Sequence, residues 1–251
     1  MSPPRLEAAR LLEGSRVEAR AVGGEPVVAF GAFLDGIQRS VIASYLHVTV
    51  PVVHGTIAAA VRSRRERTLR TWGTGPLVER ALFLPLALAG ADVTRTLAAA
   101  GIPVFDTLPA DAKGMAAALR HPDDLLALAR LGVQQRRERA EERCAAEWCR
   151  AERTPLYVDG GIGGFAEASR SAWAVGVVKS HHTLYVAPES VATVAALTAG
   201  QRTSAFVVAT RRRSGVASWY LSLRDTGDPL GGLVRIEVAE AGFDSARADL
   251  V

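Results

Sequence analysis

The stretch Thr154 to Tyr185, TPLYVDGGIGGFAEASRSAWAVGVVKSHHTLY, constrains the fold more than any other part of the chain. Leu156, Tyr157 and Val158 form a short apolar, β-prone run that delivers Asp159 into Gly160, Gly161, Gly163 and Gly164. That pattern reads as a buried strand ending in a carboxylate. A turn of helix around Ala166 to Ser171 leads to a second β-prone run, Trp173 to Val178, with Lys179 just past its end. An acid and a base are thereby expected on neighbouring strand ends. Far upstream, Val27 to Leu34 (VVAFGAFL) is another apolar run, ending in Asp35-Gly36 and followed by Gln38-Arg39-Ser40. Two strand-Asp-Gly units in a basic chain point to paired carboxylates converging on a divalent metal.

The remaining segments place these units. Residues 1 to 24 read as an N-terminal helix, with Leu6, Ala9 and Leu12 on one face and Gly23-Gly24 as its end. Val41 to Val53 is β-branched and alternating, so it is expected to pair with the first Asp-bearing strand, carrying His47 and His54 in half-buried positions and ending at Gly55. From Thr56 the pattern IAAAVRSRRERTLRTW reads as a basic helix. Residues 73 to 153 read as a mainly helical insertion: helices over Leu77 to Ala89, Val93 to Ala100 and Ala110 to Leu119, and a long charged helix from Leu125 to Arg153. One short strand, Ile102 to Phe105, interrupts them, and His121-Pro122-Asp123-Asp124 caps the long helix. Residues 154 to 240 complete the sheet, with Val191 to Ala199 helical and Ser204 to Ala209, Ser218 to Leu223 and Leu233 to Val238 as an antiparallel meander. The whole predicts one α/β domain around a mixed sheet, with the helical insertion between its two Asp-bearing strands.

Composition excludes several classes. With 251 residues, 49% hydrophobic and 22% charged, the chain is ordinary globular material. Its longest apolar run, Ala81 to Ala91, is about half of the ~20 residues that a membrane span needs. The N-terminus lacks the apolar core of a secretory signal, and Cys144 and Cys149 read as reduced thiols on one helix, so a cytoplasmic protein is expected. No GxxxxGK or GxGxxG run stands at a strand-helix junction, which disfavours a nucleotide-using small-molecule enzyme.

A metal-dependent nuclease needs a third carboxylate, and the long helix offers Glu138, Glu141, Glu142 and Glu147. Glu138 and Glu142 are four residues apart and share a face. The net charge of +4 is modest, but its distribution is informative. Arg62, Arg64 and Arg65 lead one cluster, Arg136 to Arg143 hold a second, and Arg211, Arg212 and Arg213 are adjacent. With Arg39 and Lys179 these are the candidate nucleic-acid contacts.

The segments LYVDGG, AWAVGVVKSHHTLY, WYLSLRD and GGLVRIEV resemble the NurA nucleases, prokaryotic DNA-end-processing enzymes with an RNase H-like, PIWI-related fold, and VVAFGAFLDGIQRS resembles that family's first Asp-Gly motif. The resemblance runs over residues 27 to 240. It implies that Asp35 and Asp159 ligate manganese (or magnesium), that a glutamate of the long helix, Glu142, is the third ligand, that Lys179 lies near the scissile phosphate, and that Tyr220 matches a site tyrosine. It further implies DNA as substrate, a homodimer, and a HerA-type hexameric ATPase as partner. Two features depart from the family pattern. The first motif reads Asp-Gly-Ile-Gln-Arg rather than Asp-Gly-Gly or Asp-Gly-Ser, and the sequence stops at Val251 before a Tyr-Pro and metal-site histidine segment, a place that His181 and His182 do not fill. A truncated or divergent member is therefore expected. The alternative is a catalytically inactive RNase H-like module that binds nucleic acid or an ATPase partner, for instance in antiviral defence.

Overall fold

The two longest strands, β4 (Ala32–Leu46) and β5 (Val50–Arg65), are consecutive in the chain. The computed structural model describes residues 3–23, 30–108, 121–210 and 213–244. Among them the strands are β1 (Arg5–Leu6), β2 (Arg10–Leu11), β3 (Ala19–Ala21), β4 (Ala32–Leu46), β5 (Val50–Arg65), β6 (Thr68–Thr71), β7 (Leu77–Leu84), β8 (Val104–Asp106), β9 (Leu156–Asp159), β10 (Ala174–Val178), β11 (Thr183–Leu184), β12 (Gln201–Thr203), β13 (Phe206–Thr210), β14 (Arg213–Ser222) and β15 (Leu233–Ala239). The helices are α1 (Leu86–Ala89), α2 (Ala91–Ala99), α3 (Pro122–Ala151) and α4 (Val191–Ala195). The chain is mixed α/β and divides into two compact units. The first comprises Met1–Leu34, Val61–Trp72 and Ala145–Val251, and the second Asp35–Ala60 and Gly73–Cys144. Cys144 and Cys149 are free thiols, and no helix among the described residues is long and apolar enough to cross a membrane.

In the first unit β9 lies parallel to both β10 and the start of β4, pairing Leu156 with Ala174 and with Ala32. The antiparallel meander β13-β14-β15 continues the sheet from β10, as its turn chemistry predicts. Strand alternation then sorts the side chains. Val175, Val177, Ala217, Trp219, Val234, Ile236 and Val238 form an apolar cluster, with Tyr157 and Phe30 packed against it. The intervening positions of β14 and β15 bury Ser218, Tyr220, Arg235 and Glu237.

Residues 3–23 form three short strands instead of the expected helix. Glu13 is buried and accepts from Arg202 Nη1 and Nη2 at 2.7 and 3.1 Å and from the Ala205 backbone N–H at 2.6 Å. β2 pairs with β13 and β3 with β12. These sheet contacts override the weak helical preference of the leucine spacing.

In the second unit β7 pairs antiparallel with β5 and parallel with β8. Val53, Ile57, Ala59, Ala81 and Phe83 pack against Ala129, Val133 and Ala140 of α3. The basic stretch after Thr56 is strand, not helix: Ile57, Ala59 and Val61 are buried in strict alternation, the period of a strand. Gly55 does not end this strand. It lies inside it, because the Phe83 ring stands 2.6 Å from where a Cβ would sit. Leu77 to Leu84 is likewise strand β7, with only Leu86–Ala89 helical. His54 is half-buried as expected, whereas His47 lies exposed in the turn after β4 with φ of 47°. α3 starts with Pro122 in its first turn and with Asp123 and Asp124 at its positive end. The His121 ring accepts the Asp123 N–H at 3.2 Å. The helix expected over Ala110 to Leu119 falls outside the described residues.

Candidate functional site

In the first unit β9 ends on Asp159, as its apolar run predicts. The Gly160 N–H donates to the Val177 carbonyl at 3.0 Å, which turns the chain out of the strand beside β10. β10 ends on Val178, and Lys179 Nζ donates to Asp159 Oδ2 at 2.8 Å. The acid and the base expected on neighbouring strand ends therefore form an ion pair, and both side chains are solvent-accessible. The hydrogen bond to Asp159 holds the Lys179 ammonium above its usual pKa. Behind Asp159 the glycine loop is fixed by a buried acid that the sequence did not single out. Glu237 accepts the Ile162 and Gly163 N–H groups at 2.7 and 3.1 Å, and Arg235 donates to its other oxygen at 2.6 Å.

Tyr220 is fully buried in the same unit. Its hydroxyl accepts the Tyr185 N–H at 2.9 Å, and burial pushes its pKa up to about 12. Tyr220 pairs with Arg235, which pairs with Val178, whereas Asp159 pairs with Val177. Tyr220 therefore belongs to the opposite face of the sheet from Asp159 and Lys179.

In the second unit Asp35 lies on β4, exposed, with its carboxylate accepting the Gly36 N–H at 2.8 Å. The helix acid packed there is Glu141. Its carboxylate occupies the space that a Cβ on Gly36 would fill, so a larger residue at position 36 would displace it. Glu141 is 5% exposed and accepts from Arg137 at 2.6 Å, and Arg137 also reaches Gln38 at 3.2 Å. Burial raises the Glu141 pKa to about 7. Arg137 opposes the shift, and the charges of Asp35 and Glu138 add to it. The expected third acid, Glu142, is half-buried and turned about 100° further round the helix, while Glu138 and Glu147 are exposed. The buried stripe of α3 at Leu125, Ala129, Val133 and Ala140 was the available signal, since Glu141 is eight residues from Val133 and continues that face.

Arg62, Arg64 and Arg65 stand on the β5-β6 hairpin of the first unit. Arg62 donates to the Leu69 carbonyl at 2.9 Å, Arg64 lies 5.2 Å over the Phe33 ring, and Arg65 is exposed. Arg39 is exposed on β4 of the second unit. Arg211 and Arg212 lie outside the described residues, as does the side chain of Arg213. Among the described residues no three His, Cys, Asp or Glu side chains are gathered as a metal cluster. The Asp35 and Glu141 carboxylates nevertheless suit a cation in donor chemistry: both are hard oxygen ligands, and one is a buried acid whose ionisation its surroundings resist.

No protein-family model matches the chain, and no curated protein matches it in sequence. Its structure is similar to the crystal structure of the NurA nuclease from Sulfolobus solfataricus, with a TM-score of 0.47 and 8% sequence identity, over 96% of this chain and 73% of that one.

Proposed function

We propose that the chain is a divalent-metal-dependent DNA nuclease with an RNase H-like sheet, acting on single strands or DNA ends with manganese or magnesium. The observation that carries this reading is the acid pair of the second unit, in which the buried Glu141 carboxylate packs over Gly36, next to Asp35 in the chain, and its ionisation is resisted partly by Asp35. A bound divalent cation relieves such a pair. Asp35 and Glu141 are therefore the residues that would hold the metal. When bound, the metal supplies Lewis acidity and a hydroxide nucleophile at neutral pH.

The chain's own side chains supply the rest. Lys179, exposed and fully charged beside Asp159, would hold a phosphate oxygen as a point charge. The Glu237 carboxylate fixes the loop after Asp159 through two backbone N–H bonds, so Asp159 meets substrate from a rigid strand end. Arg39, Arg64 and Arg65 offer contacts to the phosphate backbone that do not depend on sequence. The fold assignment is supported by β9 and β10 running parallel beside the start of β4. The motif resemblance adds a homodimer and a HerA-type ATPase that feeds DNA to the nuclease, and the free thiols Cys144 and Cys149 favour a cytoplasmic setting.

A second reading is favoured by the ion pairs themselves. Lys179 already neutralises Asp159, and Arg137 already neutralises Glu141. Such pairing suits an inactive RNase H-like module that binds nucleic acid or a partner ATPase. The test is incubation of end-labelled linear DNA with the purified chain and Mn²⁺, with and without the ATPase. The nuclease reading expects degradation by the wild type and none by Asp35→Asn, Glu141→Gln or Asp159→Asn. Equal cleavage by all four would mark a contaminating nuclease. Salt-sensitive DNA binding without cleavage by any of them would establish the module reading.

A further inference from the structure

The face of the first unit's sheet that carries Asp159 and Lys179 also carries a cleft of about 560 Å³. Its walls are apolar and partly aromatic. Tyr157 and Phe30 meet edge to face at 5.5 Å, Ile236 forms the floor, and Leu223, 60% exposed, forms the rim. Two cations, Lys179 and Arg224, complete the lining, and among the described residues no carboxylate lines it, although Asp159 bonds Lys179 at 2.8 Å beside it. Tyr157 is two residues before Asp159 on β9, so strand alternation turns both side chains to this face.

An apolar surface of this kind, left open to solvent, is a binding feature. Its chemistry selects the ligand. Flat aromatic walls suit a planar ring, and a cationic rim suits the anion attached to it. The volume lies in the range of small-molecule sites. We propose that this cleft is a nucleobase subsite: it takes one unpaired base of the DNA strand whose phosphate is held at Lys179. The inference rests on the nuclease reading for the identity of that strand, and it gives that reading the place where an unpaired base is recognised. A base enters the cleft only when it is out of a duplex, so the enzyme selects single strands and frayed ends. A paired base, stacked on both sides and bonded at its edge, is excluded.

Binding without metal separates this inference from catalysis. The full chain is titrated in EDTA with a fluorescent single-stranded oligonucleotide, with an oligonucleotide of the same length and phosphate count that is abasic throughout, and with a blunt duplex. The phosphate contribution is common to the two single strands, so their ratio reports base contact alone. Stacking of a base on an aromatic side chain predicts roughly 5- to 150-fold tighter binding of the strand with bases. Tyr157→Leu, which keeps apolar bulk but removes the ring face, and Leu223→Gln, at an exposed position, should each reduce that ratio while leaving abasic binding unchanged. Equal affinity for both strands in the wild type would overturn the subsite, whether or not the protein cleaves DNA. So would a Leu223→Gln variant that changes oligomeric state and leaves the ratio intact, since the cleft would then be covered by a second copy of the chain.

Discussion

The Glu141 carboxylate fills the space over Gly36 that a Cβ would require, which ties the first Asp-Gly motif to the one buried acid on that face of α3. Gly36→Ala should therefore act through Glu141. The methyl group would displace the carboxylate, the flexible end of its side chain, so the expected effect is destabilising but below the roughly 1 to 3 kcal/mol of overpacking in a rigid core. Chemical denaturation would measure it. A Gly36→Ala variant that leaves both stability and its pH dependence unchanged would mean that Glu141 does not pack there.

The same acid sets a pH dependence. Burial raises the Glu141 pKa from 4.5 to about 7, so between those values the folded chain holds a proton that the unfolded chain has released. Stability is then greatest below the unfolded value, falls as pH rises through the window, and levels off above pH 7, with a loss on the order of 3 kcal/mol. Glu141→Gln should flatten the profile over that window. A wild-type stability that instead rises from pH 5 to 7 would contradict the assignment.

Tyr220 separates a structural role from a catalytic one. Removing its buried hydroxyl leaves the Tyr185 N–H without its acceptor. Tyr220→Phe should accordingly cost about 1 to 3 kcal/mol of stability while leaving turnover per folded molecule unchanged. A large fall in kcat at unchanged stability would return Tyr220 to the reaction.

The legible parts of the sequence were those whose pattern depends on local geometry. The run Leu156 to Val158 and its glycines gave the strand and the exposed acid, and the Pro122-Asp123-Asp124 cap with the charge-laced run after it gave the long helix. What escaped was decided by tertiary contact. Alanines at positions 58 to 60 carry no strand signal of their own, yet β5 alternates because Phe83 and Val133 cover one side of it. The N-terminal leucines have helical spacing, but the buried Glu13–Arg202 pair, set by residues nearly two hundred positions apart, draws that segment onto the sheet. Glu141 was passed over in favour of Glu142 because a shift of one residue on a helix decides which acid is buried.

The arginine hairpin predicts the salt response. Each phosphate contact adds about 0.7 to 0.9 to the slope of log affinity against log salt. Arg64→Gln with Arg65→Gln should flatten that slope by up to about 2. Arg62→Gln should change it less, because Arg62 is already bonded to the Leu69 carbonyl within its own hairpin. An unchanged slope in the double variant would remove the hairpin from the DNA surface.

The central claim is that Asp35 and Glu141 form the core of a divalent-metal site. Manganese titration followed by electron paramagnetic resonance tests it without any need for turnover. A metal ligand must be deprotonated to bind, so affinity should strengthen from pH 6 to pH 8 across the Glu141 pKa. Asp35→Asn and Glu141→Gln should each weaken binding about tenfold or more, and Glu141→Gln should remove the pH dependence. Manganese binding of equal strength in the wild type and both variants, or none in the wild type at pH 8, would contradict the account.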